Sequence, residues 1–156
     1  MSHRTALILA LSIASAPFLL APFAGSAPEP TPQEFTGKVV PLSEQLEKSG
    51  AKLDKDAAPY WLALLAEDGK TYPLIKDTGS RMFFKDPKMQ NRQVQLTGRV
   101  VGDVKMLQVL SVRTVVNGKL QEPYYWCDLC KIKRFEPGPC DCCNAPLEFR
   151  EEPVKK

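Results

Sequence analysis

The sequence predicts a mainly β protein, a small five-stranded barrel with a short cysteine-rich appendage at its C-terminal end. Three observations carry this expectation. Residues 35–116 are built of alternating or wholly apolar runs rich in Val, Leu and Thr. Gly-containing hairpin signals separate these runs at Asp68 and Gly69, at Gly102 and Asp103, and at Asn117 and Gly118. All five cysteines of the 156-residue chain fall within the seventeen residues 127–143.

The first element must be set aside before the fold is considered. Residues 1–4 are short and basic, residues 5–23 are apolar and uncharged, and Ala24, Gly25, Ser26 and Ala27 are small. That order reads as a secretory signal peptide over residues 1–26, cleaved after Ser26. Pro17 and Pro22 interrupt the apolar run, which argues against a membrane-spanning helix. No cysteine lies near the cut, which argues against a lipid anchor. The expected location is therefore exported, in the periplasm or outside the cell. Loss of Arg4 from the 21 basic residues would leave the mature chain at about +2 against 18 acidic ones. So balanced a charge offers nothing to a polyanion, and no nucleic acid is expected as partner. The single histidine, His3, would go too. A mature chain without imidazole excludes Ser–His and Cys–His dyads and any histidine metal ligand.

Residues 27–33 contain three prolines and read as an extended linker. The first strand is expected over residues 35–42. A helical turn follows over residues 43–48, with Ser43 as its N-cap and Gly50 at its end. Residues 60–66 are apolar on both faces and should be a buried strand, with Tyr60, Trp61 and Tyr72 read as core before a stacking platform. Residues 70–75 return as its hairpin partner. Residues 77–91 lack alternation, and Met82, Phe83 and Phe84 there would plug a barrel end. Residues 93–101 alternate, with Val94, Leu96, Gly98 and Val100 on one face. Residues 104–116 form a long β-branched strand.

Three strands, a non-strand segment and two strands are the order of a five-stranded OB-fold barrel, expected over residues 34–122. Residues 69–116 also resemble secreted bacterial OB-fold domains, through the Gly hairpin, the Phe-bearing connector and the run Val94, Leu96, Gly98, Val100. The resemblance implies a binding barrel. Residues 34–120 are expected to fold without the tail.

The appendage, residues 123–150, carries two C-x-x-C pairs, Cys127 with Cys130 and Cys140 with Cys143, separated by nine residues. Two such turns offer four thiolates to one tetrahedral ion, so Zn(II) is the expected metal. The backbone after each pair tends to turn left-handed, which suits Asn144 and suits Lys131 less. Pro137, Gly138 and Pro139 make a stiff turn that can bring the pairs together. Cys142 is the extra thiol. Its adjacency to Cys143 is expected to point it away from the metal. So small a segment needs a metal or disulfides to hold its shape. Disulfides among the five cysteines of an exported protein stay open as an alternative, as do Cu(I) and a redox-active C-x-x-C.

The tail resembles the small heavy-metal-binding domain attached to bacterial copper and heavy-metal transport proteins. Tyr125, Cys127 and Cys130 match its opening, and Pro137, Gly138, Cys140, Cys143 and Leu147 match its close. Three departures stand out: Cys130 replaces a histidine, Asn144 a glycine and Ala145 a methionine. The resemblance implies soft-metal binding, and the all-thiolate set shifts the expectation from copper to zinc.

Lys131, Lys133 and Arg134 read as a solvated basic loop, and residues 151–156 as a polar tail. No phosphate loop, dinucleotide fingerprint or nucleophile elbow occurs. The functional expectation is an exported, non-enzymatic binding protein whose partner is an envelope protein or ligand. Metal handling and thiol–disulfide exchange are the alternatives.

Overall fold

The computed structural model describes residues 28–54, 56 and 60–154, and the expected signal peptide lies outside them. Eight strands and two short helices follow in order. They are β1 (Gln33–Pro41), α1 (Leu42–Lys48), β2 (Leu62–Ala66), β3 (Thr71–Pro73), α2 (Arg81–Lys85), β4 (Gln93–Val101), β5 (Met106–Val116), β6 (Lys119–Cys127), β7 (Ile132–Arg134) and β8 (Glu148–Pro153), with a 3-10 turn at Pro87–Met89 between α2 and β4. Among the described residues no helix is long and apolar enough to cross a membrane.

One antiparallel sheet runs in the order β3-β2-β1-β4-β5-β6-β7, and β8 lies on the other edge of β6. Its core gathers Val39, Leu62, Leu64, Val94, Leu96, Leu107 and Val109 from the strands. Met82, Phe83 and Met89 come from the segment that the sequence reads as a plug, and all three are buried. Alternation explains β4: Val94, Leu96 and Gly98 face inward, and the register shifts between Thr97 and Gly98 where Leu110 is the extra residue on β5. Gly98 is required there, because a Cβ would lie 2.5 Å from the Gln108 carbonyl oxygen. Asn117 and Gly118 both take positive φ, 50° and 72°, the geometry of a type I′ hairpin between β5 and β6.

The closed five-stranded barrel is corrected to an open sheet. Its ends meet at one parallel bridge, Leu74 with Leu107, where the Ile75 amide donates to the Leu107 carbonyl at 3.0 Å. β3 is only three residues long and ends on Pro73, which has no amide to donate. The chain then turns at Asp77, and Gly79 presses so closely on the Val109 carbonyl that a Cβ would sit 1.8 Å from it. The Gly79 segment thus occupies the edge of β5 that a longer β3 would need.

Other local expectations change as well. Ser43 does not cap α1: Pro41 stands at the cap, and Ser43 is buried inside the helix. Tyr60 and Trp61 are not core, being 67% and 57% exposed ahead of β2. Tyr72 is half-buried, edge-on to Phe35. The boundary expected at residue 122 falls inside β6, which runs unbroken from the Asn117 turn to Cys127. Tyr125 of β6 belongs to the main core, and Leu147 just ahead of β8 and Phe149 within it pack against that core. Glu151 and Glu152, expected in a polar tail, pair with β6 opposite Pro123 and Glu122.

Candidate metal centre

The cysteine module is built from two tight turns. The first closes the β6–β7 hairpin, in which Cys127 opposes Ile132. The second lies between Pro139 and Pro146, which form an antiparallel bridge, and the Cys140 amide donates to the Ala145 carbonyl at 2.8 Å. The two turns repeat one hydrogen bond. Lys131 N–H donates to the Cys127 carbonyl and Asn144 N–H to the Cys140 carbonyl, each at 2.8 Å. Both residues are left-handed, with φ of 57° at Lys131 and 58° at Asn144. Asn144 was the residue suited to that conformation. Lys131 adopts it too, because the turn geometry demands it of whatever side chain is present.

These turns bring Cys127, Cys130, Cys140 and Cys143 together, with all four sulfurs within 4.8 Å of one another. Cys127 Sγ and Cys143 Sγ, one from each pair, are 3.5 Å apart. The edge of a tetrahedron with metal–sulfur bonds of about 2.3 Å is about 3.8 Å, so the four sulfurs are spaced as a single ion requires. All five cysteines are unbridged. Cys127 and Cys140 are buried, Cys130 is half-buried, and Cys142 and Cys143 are exposed. The cluster is therefore sealed against the sheet on one side and open to water on the other.

Amide donors and crowding divide the thiols. The Cys143 and Cys142 amides point at Cys140 and bring its thiol down to about 7, against the opposition of burial. Cys127 receives the Cys130 amide at 3.4 Å, which favours thiolate, yet burial and the neighbouring Cys140 and Cys143 sulfurs push its pKa up. Cys130 is pushed well up, first by its hydrogen-bonding contact with Cys142 and then by Cys143 and burial. Cys142 is exposed and lies outside the four-sulfur group.

Charged side chains fasten the module to the sheet. Arg134 on β7 donates to the Pro139 carbonyl at 3.2 Å and pairs with Asp141, so one guanidinium links the two turns. Glu136 accepts from Arg134 at 2.7 Å, Lys85 at 2.8 Å and Arg81 at 3.4 Å, tying the module to α2. Glu151 on β8 accepts from Arg92 at 2.7 Å and from the buried Thr114 hydroxyl. Lys133 lies 4.0 Å over the Tyr124 ring and 3.4 Å from Glu152. The basic residues 133 and 134 are thus partnered, and the solvated loop is limited to Lys131, which reaches only Asp128 at 3.8 Å. The pairing of Glu136 with Arg81 and of Glu151 with Arg92 escaped the sequence reading because these partners lie 55 and 59 residues apart. No local spacing signals such pairs.

The donor set is four thiols with no oxygen or imidazole, which suits a soft or borderline ion and excludes Mg(II) and Ca(II) as natural occupants. Comparison with family models, with curated proteins and with solved structures finds no match.

Proposed function

We propose that the protein is an exported, non-enzymatic binding protein in which Cys127, Cys130, Cys140 and Cys143 hold one structural Zn(II). The observation that carries this reading is the convergence of two turns with identical hydrogen bonding on a single four-sulfur site. A bound Zn(II) supplies charge neutralisation for four thiolates and a cross-link between the two turns. The position of the first turn favours a structural role over a catalytic one. Cys127 is the last residue of β6, so a cross-link there fixes the end of the strand that leads back to the sheet. The leader reads as export, and the sheet, with Tyr60 and Trp61 exposed, supplies a surface for an envelope protein or ligand. Exposure of Cys143 favours a second reading, in which the site exchanges zinc or Cu(I) with other carriers.

Metal analysis of the mature protein, purified from its own compartment, tests both. One zinc per chain is expected, retained against a competing chelator. Serine at Cys127, Cys130, Cys140 or Cys143 should abolish it, whereas Cys142→Ser should keep it. Ready loss of metal to the chelator would favour the handling role. Two disulfides with no metal would overturn the zinc centre.

A further inference from the structure

β5 leaves one stretch of its edge open. At one end the Gly79 segment presses on the Val109 carbonyl, and at the other the ladder with β6 begins at Thr114, opposite Gln121. Between these points residues 110–113 have β4 on one side and no strand on the other. We infer that this notch is a docking groove, in which an extended, uncharged and apolar peptide segment of a partner protein adds to β5 as a strand. The inference deepens the binding-protein reading and rests on it, without involving the metal.

The sequence explains why the edge is open. In a two-residue hairpin the flanking pair, here Val116 with Lys119, exchanges both hydrogen bonds, and so does the pair two residues on, Thr114 with Gln121. Val112, two residues further, therefore aims its amide and carbonyl the same way. Continued register would set it against Pro123, which has no N–H to give. On that edge β6 pairs instead with β7, from Tyr125 onward. Among the described residues no backbone partner meets Val112 on this side.

The groove has the lining such a segment needs. It encloses about 540 Å³, within the ordinary range of ligand pockets. Met82, Leu110, Val112, Phe135, Pro153 and Val154 supply its apolar surface. Leu110 and Phe135 are 43% and 56% exposed, so both have surface left to cover an incoming side chain. The charges around the groove are already matched. Lys133 lies 3.4 Å from Glu152 and 3.9 Å from Glu122, and Arg113 reaches Gln95 and Glu34. Charge complementarity thus favours an uncharged occupant over a polyanion or an anionic headgroup. Phe135 is preset, because its neighbour Glu136 is anchored by Lys85 and Arg81 on α2. An open ladder edge calls for a second backbone, which a compact apolar ligand lacks. The open stretch is short and walled by Gly79 and Phe135, which suits a single segment rather than the sheet of a second copy.

A phage library of random linear peptides, panned against the full-length mature protein, tests this. Enriched peptides are then synthesised and their affinities measured by fluorescence anisotropy. Peptides with apolar residues at alternate positions are expected. Their binding should weaken at least tenfold in Leu110→Asp and in Phe135→Ser, both exposed positions, and stay unchanged in Trp61→Ser. Methylating single backbone nitrogens of the peptide should cost as much at alternate positions and little between them. Circular dichroism and urea midpoints of the variants check that each is folded. No enriched peptide, or binding indifferent to every N-methylation, would overturn strand addition. Affinity that falls with Trp61→Ser and not with Leu110→Asp or Phe135→Ser would also overturn the groove, while leaving the protein a binder. A dimer of the free protein that Leu110→Asp dissociates would assign the edge to a second copy and overturn the peptide partner. Cleavage of a groove-bound peptide, read by mass spectrometry, would sink the non-enzymatic reading and sustain the groove.

Discussion

Glu136 shows what a single residue does here that no motif announces. Three cations converge on it, and Lys85 first, then Arg81, hold its carboxyl below the ordinary value of 4.5, despite the partial burial that opposes them. A carboxylate with a depressed folded-state pKa contributes stability that is fully present above its unfolded value and is lost as the pH falls through the folded one. Glu136→Gln should therefore lower the melting temperature at pH 7 by about 3 °C, the scale of about 1 kcal/mol for a partly exposed ion-pair network. The difference from wild type should shrink as the pH falls below 4.5. Thermal melts of both proteins across pH 3–8 check this, and a difference that persists unchanged at low pH would count against the electrostatic origin. At this scale the four clustered cysteines and Asn144 were legible, because the chemistry of a C-x-x-C turn is local. The reach of Glu136 to Lys85 and Arg81 was not, because those partners are brought up by the fold.

Among the elements, β6 decides how the molecule is divided. Its hairpin signal at Asn117 and Gly118 is plain in the sequence, and so is the cysteine pair that ends it. Between them the sequence puts the boundary of barrel and appendage at residue 122, yet β6 pairs with β8 from Gln121 to Trp126 and with β7 from Tyr125 to Cys127. Tyr125 enters the main core at 3% exposure and donates its hydroxyl to Asp86 at 2.6 Å, and the burial and that acceptor push its pKa up. Loss of one such aromatic costs about 3–5 kcal/mol. A chain ending at Leu120 would lose Tyr125, Leu147 and Phe149 together, as well as the Glu151 acceptor for Thr114. We expect that truncation to show no cooperative urea transition, contrary to the independence that alternation alone suggests. A truncated chain with the midpoint of the full protein would restore the appendage picture.

At the scale of the whole molecule, sheet and module should unfold as one. The molecule has two tryptophans, Trp61 ahead of β2 and Trp126 on β6 beside the first cysteine turn. Trp61→Phe leaves Trp126 as the sole indole reporter of the module, and Trp61 is exposed enough for the change to be mild. In the metal-loaded variant, the urea midpoint from Trp126 fluorescence should coincide with that from far-UV circular dichroism of the sheet. A fluorescence midpoint well below the dichroism midpoint would show that the module melts alone.

By itself the sequence determined the β class, the positions of β1 to β5, the three hairpin turns and the convergence of four thiols. Each of these follows from patterns a few residues long: period-two alternation, a glycine beside Asp or Asn, and paired cysteines in a turn. Only the tertiary structure decided that the barrel stays open and that β6 joins what looked like two units. These depend on which segments compete for one strand edge or one patch of core. Gly79 takes the edge of β5, and Tyr125 takes a place in the main core. Such contests are settled by packing between residues far apart in the chain, which short-range patterns do not record.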